Sequence, residues 1–227
     1  MAQTSDTQQD TTRAASDLQS SVAPQMTNAS RGSGPGRQAL MREVVTTLLI
    51  TIVLFLGLRY SAQAVPLDGP SMQPGLHTDE RVLVNSLAYV FQQPARGDVI
   101  VFHPPNALSE RYIKRVIGLP GDTVQLTPND VYVNGVLLKE PYIAATPAGY
   151  TNNVEPETVQ LGPGQYFVMG DNRTDSQDSR YFGPIAQSEI VGKAEFVVWP
   201  MNSIKGINTY PQTFAGIPTI QPLNQLH

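Results

Sequence analysis

The longest apolar stretch of the chain covers residues 44–58, fifteen consecutive uncharged positions with charged residues on both sides. As a helix this run spans about 22 Å, which is short of the roughly 30 Å hydrocarbon core of a membrane. Continuing it to Val65, with the Arg59 side chain reaching toward the interface, makes it long enough to span. Because the run is apolar on every side, we predict a transmembrane anchor over residues 43–65 rather than a buried core helix.

The residues before the apolar run, 1–42, are predicted to form a disordered cytoplasmic tail. The first 36 are rich in Gln, Thr, Ser, Ala and Gly and include no aromatic residue, so they cannot bury enough apolar surface to offset the entropy of ordering. Four arginines precede the run, and arginines near a transmembrane segment favour the cytoplasmic side. Residues 66–227 are therefore expected to form an extracytoplasmic domain.

A different interpretation of the same stretch ends it at a processing site. Ala62, Gln63 and Ala64 follow the apolar run with the small-x-small form of a secretory cleavage site. A leading region of more than forty residues and the charged Arg59 argue against removal. We expect the anchor to be retained.

Residues 66–227 have the pattern of short strands separated by turns. Runs of β-branched and aromatic residues occur at 81–85, 98–102 and 195–199. Residues 131–138 contain a central Asn-Gly pair, the strongest short signal for a β-hairpin. The predicted fold class is mainly β, with bent antiparallel barrel-like sheets and a hairpin extension over 125–160, preceded by one N-terminal transmembrane helix.

The amino-acid composition of the chain argues against several classes of function. With 15 Lys plus Arg and 19 Asp plus Glu, the net charge is -4, too acidic for a nucleic-acid binder. The chain has no cysteine, which excludes thiol nucleophiles and zinc-thiolate sites. Three scattered histidines, His77, His103 and His227, disfavour a metal centre. We expect no metal, no cofactor and no nucleic-acid partner.

Among the four lysines, Lys114 has the sequence context of a reactive amine. Strand alternation places Tyr112, Lys114 and Val116 on one face. Apolar neighbours disfavour the charged form, which lowers the pKa of the amine and allows it to act as a general base. A lysine that protects an edge strand from aggregation is the structural alternative.

Two loops carry further candidate chemistry. Residues 69–74, Gly-Pro-Ser-Met-Gln-Pro, favour a turn that presents the Ser71 hydroxyl beside backbone N–H groups, as an oxyanion site requires. Residues 170–180 are all small or polar and alternate Asp with Arg. Such a run is typical of a solvated loop, or of an ion-pair brace that holds one hydroxyl toward a neighbour.

These three segments, taken in order with residues 97–102 and 118–122, closely resemble the type I signal peptidases. These are membrane-anchored Ser/Lys endopeptidases that remove signal peptides from exported proteins, and the resemblance covers about residues 44–200. It implies a serine endopeptidase that cleaves after small-x-small sites such as Ala-x-Ala. The implied partners are signal peptides of exported preproteins and membrane lipid. The implied state is a monomer in a plasma or thylakoid-type membrane.

The resemblance also implies a role for each matched residue. Ser71 corresponds to the nucleophile and Lys114 to the general base. Ser176 matches the serine that hydrogen-bonds the lysine and orients it, and Asp178 and Arg180 match the pair that braces this loop.

Other matched positions depart from the family pattern or have a less specific role. Gly69 stands where some members have a serine that donates to the oxyanion, so either a backbone group or water substitutes, or the oxyanion site is weaker. Asp171 and Arg173 belong to the same polar segment, in which Thr174 replaces a common aspartate. Apolar residues implied to line shallow substrate pockets, or to pack in the core, are Leu67, Met72, Leu76, Val82, Val101, Tyr112 and Ile113.

Two other functions are compatible with these residues. One is a self-cleaving Ser/Lys peptidase like those in SOS-response repressors, against which the apolar segment and the lack of a DNA-binding region count. The other is a non-catalytic, membrane-tethered β-domain that binds an envelope or luminal partner.

Overall fold

The computed structural model describes residues 36–143 and 155–220. Most of the predicted tail, residues 1–35, lies outside the described residues. Residues 144–154 of the predicted hairpin extension lie outside them as well.

The apolar run forms helix α1, Arg37–Ser61. Within the described residues it is the one helix long and apolar enough to cross a membrane, over Arg37–Phe55. The helix begins and ends earlier than the anchor predicted over 43–65. That boundary is corrected because Ala62–Pro66 forms a strand whose backbone pairs with residues about twenty positions later.

The remaining described elements are short and mostly strands. Three of the strands are only two residues long, and two helices of four residues each lie in the second half of the chain. In chain order they are β1 Ala62–Pro66, β2 Arg81–Asn85, β3 Val99–Phe102, β4 Tyr112–Gly118, β5 Thr123–Leu126, β6 Val131–Val133, β7 Val136–Leu137, β8 Glu157–Gln160, β9 Gln165–Met169, α2 Ser179–Phe182, β10 Ile185–Ala186, β11 Ile190–Trp199, β12 Lys205–Gly206 and α3 Pro211–Phe214.

The larger sheet has eight strands in the order β1-β2-β11-β3-β4-β9-β10, with β12 paired to β11. Its pairs are antiparallel, and β11 shows register shifts against both β2 and β3. Such irregularities bend a strand and increase its twist, which curls the sheet into a half-barrel. The predicted fold class, mainly β with bent antiparallel sheets, is confirmed.

A second, four-stranded sheet has the order β7-β6-β5-β8. The predicted Asn-Gly hairpin forms its edge, with β6 paired to β7. Asn134 and Gly135 have φ angles of 51° and 78°. Positive φ at both central residues is what a two-residue hairpin turn requires, and Asn and Gly accept it at the lowest steric cost.

Two buried clusters flank the strand that carries Lys114. One, on the side of β1 and β2, contains Val82, Val84, Val99 and Val101. The other, beside β9, contains Phe102, Val116 and Tyr166 among its members. Because β4 is central in its sheet and buried from Lys114 to Gly118 among these clusters, the backbone that carries Lys114 is held rigidly.

Strand β1 leads to a prediction about processing of the chain. Ala62 and Ala64 are paired with Asn85 and Leu83 of β2, so cleavage after Ala64 would require this edge strand to leave the sheet. We therefore expect the protein purified from membranes to contain residues 62–64 when its intact mass is measured. A dominant species beginning at Val65 would contradict the retained anchor.

Candidate active site

The loop after β1, the strand β4 and the loop after β9 bring their polar residues together. The Lys114 Nζ atom lies 2.8 Å from the Ser71 Oγ atom, although the residues are 43 positions apart. Lys114 is 4% exposed, while Ser71 is partly open to a cavity. A hydroxyl and an amine at this distance can exchange a proton directly.

The surroundings of Lys114 favour the neutral amine. Burial lowers the pKa of Lys114 to about 8, because a desolvated ammonium is disfavoured. The negative charges of Asp178 and Asp171 act in the opposite direction, and the positive charge of Arg180 adds to the lowering. The Lys114 Nζ also lies 5.3 Å from the centroid of the Tyr112 ring, on the face that strand alternation predicted.

Hydrogen bonds from the polar segment after β9 hold the turn that presents Ser71. The backbone N–H of Asn172 donates to the Ser71 carbonyl (3.0 Å), and the Asn172 side-chain amide donates to the Pro70 carbonyl (3.2 Å). A side chain at Gly170 would come within 2.5 Å of the Ser71 carbonyl oxygen and 2.2 Å of the Ser176 Oγ. Asn172 and Gly170 were not singled out from the sequence, although both lie in the segment 170–180.

The backbone around Ser71 leaves a donor for an oxyanion. Within the described residues the Ser71 N–H makes no hydrogen bond. Gly69 has a φ angle of 90°, and a Cβ built on it meets no atom within 4 Å. Its positive φ favours glycine, so this position supplies no side-chain donor.

Asp178 and Arg180 form a fully buried, bidentate ion pair. Arg180 Nε and Nη2 donate to the Asp178 carboxylate at 2.8 and 2.9 Å, and both side chains are 0% exposed. Asp178 also accepts from the Gly170 N–H and the Ser176 hydroxyl. Burial acts to raise the pKa of Asp178, but the hydrogen bonds and charge of Arg180 outweigh it and hold this pKa below its usual value.

The structure differs from the expectation for Ser176. Its hydroxyl donates to Asp178 (2.8 Å), and among the described contacts no hydrogen bond joins it to Lys114. The carboxylate is the stronger acceptor, and it lies only two residues away in the same loop. Ser176 therefore reaches Lys114 only indirectly, through the charge of Asp178.

A second group of ion pairs braces the same segment. Arg115, next to Lys114 on β4, binds Asp171 in a bidentate pair at 2.8 and 2.7 Å. Arg173 pairs with Glu140 and donates to the Gly170 carbonyl at 3.1 Å. Arg115 and Glu140 were not predicted, because each partner lies more than thirty residues away in sequence.

A cavity of about 610 Å³ opens beside Ser71 and Lys114. Four of the predicted substrate-binding residues line it: Leu67, Val101, Tyr112 and Ile113. The other three, Met72, Leu76 and Val82, are at most 5% exposed and are not among the residues that line the cavity. They belong to the core cluster beside β2, as do Leu67 and Val101, so their role in substrate binding stays a prediction.

The cavity also has a charged and polar rim that the sequence did not indicate. Asp68, Glu110, Arg111, Asp175 and Gln177 contribute to its lining. Within the described parts of the chain, no group of three or more His, Asp or Glu side chains is placed to hold a metal ion. Ser71 and Lys114 contribute a hydroxyl and an amine to the lining of the cavity.

Comparisons with known proteins place this chain among peptidases. Residues 40–199 match the family model described as "Signal peptidase, peptidase S26". The chain is 38% identical over 187 residues to "Signal peptidase I" of Leptolyngbya laminosa, covering 79% of this chain and 90% of that protein. It is 39% identical over 174 residues to "Signal peptidase I" of Bacillus amyloliquefaciens, covering 74% and 89%. A crystal structure of a signal peptidase I from Enterococcus faecalis aligns with 38% identity and a TM-score of 0.40, covering 45% of this chain and 97% of that one.

Proposed function

The chain belongs to the type I signal peptidases, and from that premise we propose that it removes N-terminal signal peptides from exported preproteins with a Ser71/Lys114 dyad. The observation that carries this proposal is the 2.8 Å approach of the Lys114 Nζ to the Ser71 Oγ inside a buried site. Desolvation of this amine supports its role as the base, since a neutral amine can accept the serine proton at moderate pH.

The reaction is an acyl transfer in two steps. Lys114 Nζ takes the hydroxyl proton while Ser71 Oγ attacks the carbonyl carbon of the scissile bond, and the lysine then returns the proton to the leaving amine. The resulting ester on Ser71 is attacked by water, whose proton passes to the same lysine. Ser71 is released with its proton restored, and the signal peptide leaves with a free carboxylate.

The negative charge on the carbonyl oxygen requires a preorganised donor. The Ser71 N–H has no acceptor within the described residues, which leaves it available for this oxygen. Gly69 offers no hydroxyl, so the second donor in this proposal is a backbone group or water.

The cavity favours small residues at the cleavage site. Leu67, Val101, Tyr112 and Ile113 give it an apolar wall next to Ser71, which suits alanine immediately before the scissile bond and two residues earlier. Cleavage after Ala-x-Ala follows as the proposed specificity.

The same proposal includes the membrane. Helix α1 would anchor residues 43–61 in a plasma or thylakoid-type membrane, with residues 1–42 in the cytoplasm and 66–227 forming the extracytoplasmic catalytic domain. The partners are signal peptides of preproteins and membrane lipid. We propose a monomer that needs no metal, cofactor or nucleic acid.

Cleavage in trans is the decisive experiment. Full-length protein reconstituted in lipid vesicles is mixed with a preprotein that carries an Ala-x-Ala site, and the products are identified by mass. We expect one cut after the second alanine. A self-cleaving peptidase would cut only its own chain, and a non-catalytic binding domain would cut neither.

The pKa of Lys114 predicts how the rate of cleavage depends on pH. Only the neutral amine is active, so the single-turnover rate should rise about tenfold per pH unit below about 8 and level off above it. The measurement is single-turnover cleavage from pH 6 to 10 with the reconstituted enzyme. A midpoint near the value of free lysine, about 10.4, would contradict a desolvated base.

Removal of the Ser176 hydroxyl should slow catalysis without unfolding the domain. Ser176→Ala deletes one donor to Asp178, whose charge acts on Lys114, while its backbone and the Arg180 pair stay in place. We expect kcat to fall about tenfold, the rate equivalent of one hydrogen bond to a charged group. Cleavage rates and thermal melting are the two measurements. Unchanged turnover would show that the Ser176 hydroxyl has no role in catalysis.

A further inference from the structure

The chain continues past the region that matches the family model, and this continuation returns to the site. We name residues 207–218 the C-terminal strap. It begins where the Ile207 N–H donates to the Glu195 carbonyl (2.9 Å), and its Phe214 and Ile217 side chains are buried in a core cluster. It ends at Pro218, whose carbonyl accepts from Arg96 and Asn134. The strap is therefore held at both ends by hydrogen bonds and near its end by two buried side chains.

The strap makes direct contact with Arg115. The Asn208 carbonyl accepts from Arg115 Nη1 at 2.9 Å, and the Tyr210 ring centroid lies 5.2 Å from the guanidinium carbon. Tyr142 faces the same guanidinium at 4.5 Å and touches the Tyr210 ring at a centroid distance of 5.3 Å. A guanidinium is attracted to such ring faces, more strongly when it is desolvated.

Two other hydrogen bonds of Arg115 lead toward the proposed dyad, because Nε and Nη2 both donate to Asp171. The remaining one joins Nη1 to the Gly97 carbonyl at 2.8 Å. Asp171 is followed by Asn172, which holds the Ser71 and Pro70 carbonyls. Arg115 is itself preceded by Lys114 on β4. One guanidinium thus connects the strand of the base to the loop that fixes the nucleophile.

We propose that the C-terminal strap is a positioning element for the dyad, with Tyr210 as its key side chain. The inference rests on the proposed signal peptidase function and names a further residue that this function needs. Tyr210 and the Asn208 carbonyl fix the plane of the Arg115 guanidinium. Arg115 then aligns Asp171, and Asn172 keeps the Ser71 hydroxyl within reach of Lys114.

The backbone geometry of the strap indicates that its contact with Arg115 is well determined. Tyr210 has a positive φ of 48°, and the Asn208 side chain accepts from the Tyr210 N–H at 2.8 Å. A side chain at Gly97 would come within 2.1 Å of the Thr209 carbonyl oxygen, so the strap backbone lies directly on this glycine. Strained and closely packed backbone persists where its surroundings determine it.

The test compares three strap variants in the reconstituted full-length enzyme. Tyr210→Leu keeps apolar volume but removes the ring face, and Tyr210→Phe keeps the ring. Thr213→Val is the matched control, because it loses a strap hydrogen bond to the Lys139 carbonyl that does not involve Arg115. Measurements are kcat and KM for preprotein cleavage, and hydrogen exchange of the Asn172 amide, whose N–H donates to Ser71.

We expect Tyr210→Leu to lower kcat about tenfold with little change in KM, the rate equivalent of one desolvated cation–π contact. Exchange at Asn172 should be faster in Tyr210→Leu, whereas Tyr210→Phe and Thr213→Val should resemble wild type in both measurements. Unchanged kcat and exchange in Tyr210→Leu, or equal losses in Thr213→Val, would overturn the proposal. If wild type cleaves no preprotein, the proposed function fails, and Asn172 exchange still decides whether the strap positions Ser71.

Discussion

Replacing Lys114 by methionine should abolish cleavage while leaving the domain folded. Methionine preserves the length and apolar stem that pack in β4 but supplies no basic nitrogen to take the Ser71 proton. In the wild type the Lys114 Nζ atom lies 2.8 Å from the Ser71 Oγ atom. Loss of one member of a catalytic dyad typically lowers kcat by about a thousandfold or more. Single-turnover cleavage of a preprotein with an Ala-x-Ala site, together with thermal melting, measures both effects.

Three further variants distinguish a role of Lys114 as a general base from a role as a positive charge. Lys114→Arg should be inactive as well, because a guanidinium stays protonated at any usable pH. Ser71→Ala should be as inactive as Lys114→Met, and the double variant no worse than either, because the two residues act as a unit. Lys205→Met is the matched control, since that lysine is 43% exposed and outside the cavity lining, and it should cleave normally. Substantial activity in Lys114→Arg would reject the Ser/Lys mechanism.

The strands could be predicted because their signals are local. The alternation in Arg81–Asn85 and the Asn-Gly pair at 134 and 135 describe β2 and the β6–β7 hairpin directly. The end of α1 could not be predicted in this way. Ala62–Pro66 leaves the helix because it pairs with β2, and its own composition carries no sign of that partner.

For the site, the sequence motifs indicated the residues proposed to react but not the contacts that hold them in place. The resemblance identified Ser71 and Lys114, which the structure brings into contact. The sequence did not single out Arg115, because its partner Asp171 lies 56 residues away. The resemblance implied that Val82 lines a substrate pocket or packs in the core, and its side chain is fully buried in the cluster beside β2. Side-chain direction depends on tertiary packing, which one sequence does not specify.

Replacing Asp178 by alanine should produce the largest loss of stability in the site together with a loss of activity. Its carboxylate is 0% exposed and neutralises the equally buried Arg180, so the variant leaves that guanidinium with its bond to the Arg173 carbonyl but without its counter-charge. Breaking a buried pair by removing one partner costs about 3 to 5 kcal/mol of unfolding free energy. The Gly170 N–H and the Ser176 hydroxyl would lose their acceptor at the same time, which loosens the loop beside Lys114.

Asp98→Ala provides the comparison that isolates the catalytic effect. Asp98 is also a buried carboxylate, but its partner Lys193 is 24% exposed and can regain water when the pair is lost. Its described partners, Tyr89, Ala95 and Lys193, lie outside both the segment 170–180 and the cavity lining. We therefore expect a smaller loss of unfolding free energy in urea and a wild-type kcat at temperatures where the variant is folded. Asp178→Ala should lose kcat under the same conditions, because loosening the loop moves the charges that set the pKa of Lys114. Equal stability losses with wild-type kcat in both variants would mean that the Asp178–Arg180 pair supports only the fold.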